Sequence, residues 1–151
     1  MATVNDLPNS FERAAKFLGG KSGKTCGYAT KVTAETEQIG THSIDVYCIY
    51  HFRTKIITFY PDDSVKITTQ GWRSRTTRKR INLALRRWKI SCCKGLWYLY
   101  DWTCANPEGY PFYEGDRVFT VAHPLIDRKA IYEDIQETGY NFLVAMKLAA
   151  M

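Results

Sequence analysis

The chain has 151 residues and a mass of 17.4 kDa, and 45% of its residues are hydrophobic and 14% aromatic. This composition excludes a disordered, collagen-like or low-complexity protein, because such chains lack the apolar surface that offsets the entropy of ordering. The length predicts one domain, 1–151, with a core at 11–126 and a helical C-terminal extension at 127–151. No apolar run has the length of a membrane span, and the first ten residues lack a signal-peptide pattern. We therefore expect a soluble intracellular protein that does not bind membranes.

Positive charge is concentrated in one short segment. The net charge is +6, yet residues 73–89 contain eight Lys or Arg and no Asp or Glu, while residues 1–72 carry +1 and residues 90–151 carry −3. Like charges repel one another unless solvent or a polyanion accommodates them. The segment therefore predicts an anionic partner.

The N-terminal half predicts one helix followed by strands. Ser10 can cap a helix that ends at Leu18, before Gly19-Gly20, and residues 21–26 form a basic loop. Strands are predicted at 27–33, 43–52, 55–60 and 65–69, with a turn at 61–64. The connections are too short for crossover helices, so we expect an antiparallel meander in an α+β fold.

The basic segment predicts a helix over 76–88. Thr76 and Thr77 are suitable N-caps, and the apolar residues at helical spacing that would face the core are Ile81, Ala84, Leu85 and Trp88. The opposite, exposed face would then carry Lys79, Arg80, Arg86 and Arg87.

The C-terminal half predicts a hairpin, a strand and a helical region. The hairpin joins residues 89–93 to 96–102 through Lys94-Gly95, with either Trp97 and Leu99 or Tyr98 and Tyr100 facing the core. A loop at 103–113 and a short strand at 117–122 follow, before the helical extension that begins near residue 127.

Basic side chains beside aromatic rings are typical of nucleic-acid-binding surfaces. Cations that neutralise phosphates release counterions, and aromatic faces stack on unpaired bases. The alternative is a solvated face that only keeps the protein soluble. The candidate nucleic-acid-binding residues are Arg73, Arg75, Arg78, Lys79, Arg80, Arg86, Arg87 and Lys89, with Trp72, Trp97 and Tyr98 as candidate stacking residues.

The start of this helix is a candidate anion site. A helix N-terminus favours a phosphate, and Thr76, Thr77 and Arg78 would supply hydroxyl and guanidinium donors there, beside Arg73 and Arg75. Alternatively, the threonines only cap the helix and an arginine pairs with Asp62 or Asp63 of the preceding turn.

Neither metal binding nor catalysis has a convincing motif. Five cysteines without a secretory signal predict reduced thiols that serve as small core residues. A zinc site would need Cys92, Cys93, Cys104 and His123, but adjacent cysteines lack the C-x2-C spacing of a zinc knuckle. The three histidines belong to no recognised catalytic motif. We expect no enzymatic activity, no metal and no cofactor.

Several blocks of the sequence resemble a family of small bacteriophage proteins with no assigned activity. The resemblance covers roughly residues 11–116, and its most specific part runs from Gly71 to Asn82. The blocks are Tyr50-His51-x-x-Thr54-x-Ile56-Ile57-Thr58-Phe59, Pro61-Asp62-Asp63-Ser64-Val65-x-Ile67, Gly71-Trp72-Arg73-x-x-Thr76-Thr77-x-x-Arg80-Ile81-Asn82, Gly95-Leu96-Trp97-Tyr98 and Pro111-Phe112-Tyr113-Glu114-Gly115.

The resemblance implies a phage or prophage origin and a setting in the host cytoplasm. We expect a non-enzymatic protein that contacts DNA or RNA and acts in host takeover or counter-defence. Two alternatives stay open. The protein could inhibit a host defence protein or nucleoprotein complex, with the basic helix accessory, or it could sequester a small nucleotide signal at the helix start.

Overall fold

Strands dominate the computed structural model, which describes residues 2–103 and 109–119. Within these ranges 45% of the residues form strands, and the α-helices are α1 (Phe11–Leu18) and α2 (Arg75–Ala84), besides a 3-10 turn at Val4–Asp6. The strands described are β1 (Gly23–Thr25), β2 (Thr30–Ile39), β3 (His42–His51), β4 (Thr54–Phe59), β5 (Ser64–Ile67), β6 (Trp88–Cys93), β7 (Leu96–Asp101), β8 (Tyr110–Pro111) and β9 (Asp116–Phe119).

The strands form two antiparallel sheets. One has six strands in the order β1-β2-β3-β4-β5-β9, and the other has three in the order β6-β7-β8. Strands β2 to β5 form the expected meander, but the α+β prediction is wrong, because the described chain is a small β-rich domain with two short helices. The predicted helical extension, 127–151, lies outside the described residues.

Helix α1 begins and ends where its sequence predicts. Ser10 accepts a hydrogen bond from the amide of Arg13 at 3.1 Å, and Gly19 ends the helix with a φ of 57°. Glycine adopts this left-handed conformation without steric cost. The following basic loop contains the short strand β1, which pairs with β2.

Helix α2 is shorter than predicted and ends at Ala84 rather than at residue 88. The Asn82 side chain donates to the carbonyl of Ile90 and accepts from its amide, at 2.9 and 2.7 Å. Lys89 donates to the carbonyls of Asn82 and Leu85, both at 2.7 Å. These bonds satisfy carbonyls near the helix end. Trp88 therefore begins β6 instead of completing the helix.

The predicted hairpin is confirmed as β6 and β7. Lys94 and Gly95 have φ of 52° and 78°, the left-handed values that a tight two-residue hairpin turn requires. Trp97 and Leu99 face the core. The predicted loop at 103–113 contains β8, which pairs with β7, and the strand predicted at 117–122 is described as β9, up to residue 119.

The main core lies on one face of the six-stranded sheet. It joins both helices and both sheets, from Leu18 of α1 and Ile81 of α2 to Ile57 of β4 and Leu99 of β7. A smaller cluster of Val46, Cys48 and Tyr60 covers the opposite face. No helix in the described ranges is long and apolar enough to cross a bilayer.

Candidate functional site

A tight turn before α2 sets the position of the helix start. Gln70 and Gly71 have φ of 51° and 85°, and the Trp72 amide donates to the carbonyl of Thr69 at 2.9 Å. The N-cap is Ser74, whose hydroxyl accepts from the Thr77 amide at 3.0 Å. The prediction of a cap at Thr76 or Thr77 is wrong, because the helix begins one residue earlier. Thr77 is buried and its hydroxyl lies 2.8 Å from that of Ser74, while Thr76 is exposed.

Glu114 holds this turn from the other side. Its carboxylate accepts from the Thr69 amide at 2.6 Å and from Arg73 Nε at 3.3 Å. Burial opposes ionisation, but the Thr69 and Arg73 hydrogen bonds outweigh it and hold the pKa of Glu114 below its usual range. The arginine partner is thus Glu114 rather than Asp62 or Asp63. The Arg73 guanidinium also lies 4.9 Å from the centre of the Phe112 ring.

Arg80 is buried, so the prediction that it lies on an exposed face is wrong. Only 6% of its surface is exposed, and it donates from Nε to Thr30 Oγ1 at 2.7 Å and from Nη2 to the Tyr28 carbonyl at 3.2 Å. The inward stripe of α2 is Thr77, Arg80, Ile81 and Ala84. Thr77 and Arg80 lie four residues before Ile81 and Ala84, and residues at this spacing share one face of a helix, so Arg80 faces the sheet with the apolar residues.

Arg86 and Arg87 lie beyond the helix and do not extend a helical face. Arg87 Nε donates to the carboxylate of Asp101 on β7. Arg86 is exposed, and its carbonyl accepts from the indole of Trp102. These two cations are therefore separated from those at the start of α2.

A basic groove of about 470 Å³ runs along the outer side of α2. We use this name for the surface lined by Arg75, Arg78, Lys79, Asn82, Leu83 and Lys89. Lys89 is held by its hydrogen bonds to the helix carbonyls, and burial lowers its pKa. Arg75, Arg78 and Lys79 form no ion pair within the described residues. Their charges are available to a ligand.

The three candidate stacking residues have different surroundings. Trp72 is 73% exposed beside the start of α2. Trp97 is only 5% exposed and packs in the core, with its ring centre 6.0 Å from that of Phe112, so it offers no free face. Tyr98 is half-buried on the other side of β7, where it pairs with Ser91 and Pro111.

An aromatic pocket of about 720 Å³ lies between the β3–β4 turn and the start of α2. Its lining residues are His51, Phe52, Arg53, Thr54, Gly71, Trp72, Arg73, Ser74 and Thr77. Only Trp72, Arg73 and Thr77 of these nine are among the candidate binding residues, and the residues of the β3–β4 turn are not. The available signal was the two-residue connection Phe52-Arg53 between two strong strands, because such a turn leaves both side chains at the tip of a hairpin.

Cysteines divide into two buried and two exposed thiols in the described chain. Cys26 and Cys48 are core residues as predicted, and burial raises their pKa to about 11 and about 12. Cys92 and Cys93 are exposed near the β6–β7 turn, contrary to expectation. Across residues 2–103 and 109–119 no three His, Cys, Asp or Glu side chains gather as a metal site. Cys104 and His123 lie outside the described residues.

A family model described as Kyanoviridae Gp96 protein matches residues 17–119. This range is more than half of the chain and contains the basic groove and the aromatic pocket. The chain belongs to the Kyanoviridae Gp96 family. It is thus a member of a phage protein family, in agreement with the phage resemblance of the sequence. No curated protein and no solved structure matches the chain.

Proposed function

We propose that this member of the Kyanoviridae Gp96 family is a non-enzymatic protein that binds nucleic acid in the host cytoplasm, with phosphates in the basic groove. The observation that supports this proposal is the grouping of Arg75, Arg78 and Lys79 along one cavity, where none of the three pairs with a carboxylate of the described residues. Phosphate neutralisation by such cations is favourable because it releases condensed counterions. Host takeover or counter-defence is the setting in which we place this activity.

An unpaired strand of DNA or RNA is the form of nucleic acid that this surface favours. Three exposed aromatic rings are available for stacking: Phe52 and Trp72 line the aromatic pocket with Arg53 and Arg73, and the Tyr28 ring centre lies 5.9 Å from that of Phe52. Every base offers a flat face to such rings, whereas paired bases keep their faces inside the duplex. We therefore expect single strands to bind more tightly than a duplex of the same length.

Fluorescence anisotropy over a salt series tests this proposal with labelled single-stranded DNA, RNA and duplex DNA. Reversing two groove charges in R78E/K79E is expected to weaken binding at least tenfold. It should also lower the salt slope by about 1.4, since each phosphate contact contributes roughly 0.7 for single strands. Arg80 and Arg87 are unsuitable for this test, because both are engaged within the protein.

The matched control is R13E/K21E. It changes the net charge of the protein by the same amount, at exposed positions on α1 and in the loop after it. This variant should keep most of the affinity and the wild-type salt slope. Equal losses in both variants would mean that only net charge matters, and absence of binding at low salt would exclude the proposed function.

A further inference from the structure

We infer that the aromatic pocket is a binding site for a single nucleotide, with the base between Phe52 and Trp72 and the phosphate at the first turn of α2. Where this nucleotide is one unit of a strand, its binding rests on the proposed function. A free nucleoside monophosphate would offer the pocket the same two groups, a base and a phosphate. The pocket volume of about 720 Å³ lies within the usual range of small-molecule sites.

Two exposed rings flank the pocket from different elements. Phe52, at the tip of the β3–β4 hairpin, is 60% exposed, and Trp72, in the loop before α2, is 73% exposed. Neither ring belongs to the core clusters. Every nucleotide base has a flat face that stacks favourably on such aromatic rings.

The backbone of Phe52 is strained where the ring is exposed. Its φ is 56°, a left-handed value that is unfavourable for a residue other than glycine. Glycine would adopt this turn without that cost, whereas phenylalanine buries little apolar surface in return. A bulky aromatic residue at such a position indicates a role for the ring outside folding.

His51 lines the pocket, and its ring is buried. It is 6% exposed, and its Nδ1 has no hydrogen-bond partner among the described residues. Burial and the nearby Arg80 guanidinium lower its pKa, against a hydrogen bond with the Ala29 backbone. The ring is therefore neutral near pH 7. A buried ring nitrogen without a partner is costly, and the polar edge of a base would satisfy it.

The first turn of α2 supplies the phosphate site. The amides of Arg75 and Thr76 are the first two of the helix and have no intrahelical acceptor, and the helix dipole favours an anion at this end. Arg53 and Arg73 line the same pocket and add positive charge. Glu114 neutralises part of the Arg73 charge.

Isothermal titration calorimetry on the full chain tests this inference with adenosine 5′-monophosphate, adenosine, inorganic phosphate and a single-stranded hexanucleotide. The monophosphate should bind at least tenfold more tightly than adenosine or phosphate alone. The principal variant is Phe52→Gly, which removes the ring and suits the positive φ, so its Tm should equal or exceed that of the wild type. Tyr113→Ala is the control, because it removes an exposed ring that does not line the pocket.

The two sources of the nucleotide give different results. Tenfold weaker binding of the monophosphate by Phe52→Gly, but not by Tyr113→Ala, would assign the pocket to a free nucleotide. The same loss for the hexanucleotide, without measurable monophosphate binding, would assign it to one unit of a strand. His51→Gln should reduce the affinity in the same experiment, because the glutamine side chain does not place a hydrogen-bonding atom where Nδ1 of the imidazole lies.

Unchanged affinities in both Phe52→Gly and His51→Gln would overturn the inference, while the response of R78E/K79E to salt would still support the basic groove. Conversely, monophosphate binding that depends on Phe52 would support the pocket even if no strand bound to the groove. Failure of the inference and failure of the proposed function are therefore distinguishable.

Discussion

Glu35 on β2 accepts hydrogen bonds from three side chains: Thr33 Oγ1 at 2.6 Å, Tyr50 OH at 2.8 Å and Lys55 Nζ at 2.9 Å. Burial disfavours the carboxylate, but these three hydrogen bonds outweigh burial and bring the pKa of Glu35 from 4.5 down to about 2. At the scale of a single residue, this carboxylate ties β2 to β3 and β4 on the second face of the sheet.

Glu35→Gln should destabilise the protein at pH 7 and much less at low pH. Because the folded-state pKa is depressed, ionised Glu35 stabilises the fold above about pH 4.5, and this contribution is lost as the pH falls towards about 2. Urea unfolding of wild type and variant between pH 2 and pH 7 measures the difference in free energy of unfolding.

Glu12→Gln is the control for this pH series. Glu12 pairs with Lys16 at 3.2 Å on the exposed side of α1, and such surface pairs contribute about 0–1 kcal/mol. A destabilisation by Glu35→Gln that stayed constant from pH 2 to pH 7 would contradict the role assigned to its charge.

At the scale of elements, the start of α2 depends on Ser74 rather than on the threonines that follow it. The Ser74 hydroxyl satisfies one of the amides that a helix leaves without an acceptor. Thr76 is exposed inside the first turn, where alanine has the higher helix propensity. Alanine should therefore destabilise the protein at position 74 but not at position 76.

Ser74→Ala should lower the free energy of unfolding by about 1 kcal/mol, whereas Thr76→Ala should leave it unchanged or raise it by a few tenths. Chemical denaturation of both variants under the same conditions measures the two changes. A larger loss in Thr76→Ala than in Ser74→Ala would show that the helix begins at the threonines after all.

The contrast between α2 and the β6–β7 hairpin shows what local sequence can predict. The hairpin pairs residues 88–93 with 96–101, and its turn residues lie between them, so the signal is complete within fourteen positions. The C-terminal end of α2 depends on partners that are also near along the chain, Asn82 with Ile90 and Lys89 with the last carbonyls, but no turn or cap motif in the sequence specifies these contacts. Helical periodicity contains no information about those partners.

At the scale of the whole molecule, the six-stranded sheet is completed by a strand from far along the chain. Strand β9 pairs with β5, so that Ser64 lies opposite Phe119 after the chain has formed α2 and the second sheet. In the middle of the sheet, Ile49 of β3 lies between Val32 and Ile57 and is fully buried. Strand β1, at the edge, is exposed throughout.

Native-state hydrogen exchange should follow this order. Amides of β3 and β4 are expected to exchange only through global unfolding, and those of β1 at least a hundredfold faster, because an edge strand with exposed side chains opens locally. NMR of the full chain in deuterated buffer measures the rates residue by residue. Equal protection of β1 and β3 would contradict the assignment of β1 as a weakly held edge.

The sequence by itself determined the features that depend on neighbours along the chain. These are the basic segment at 73–89, the cap and end of α1, the meander, the hairpin and the phage resemblance, which the family match supports. Only the tertiary structure decided which cations of this segment are engaged by other groups of the protein. Arg80 donates to Thr30, Arg87 pairs with Asp101, and Arg73 pairs with Glu114.

Tertiary structure also brought Phe52 and His51 to the start of α2, more than twenty positions later in the chain. The physical reason is the same in each case. Caps, turns and periodicity act between residues a few positions apart, whereas the partner of a buried or paired side chain depends on how strands and helices pack across the whole fold.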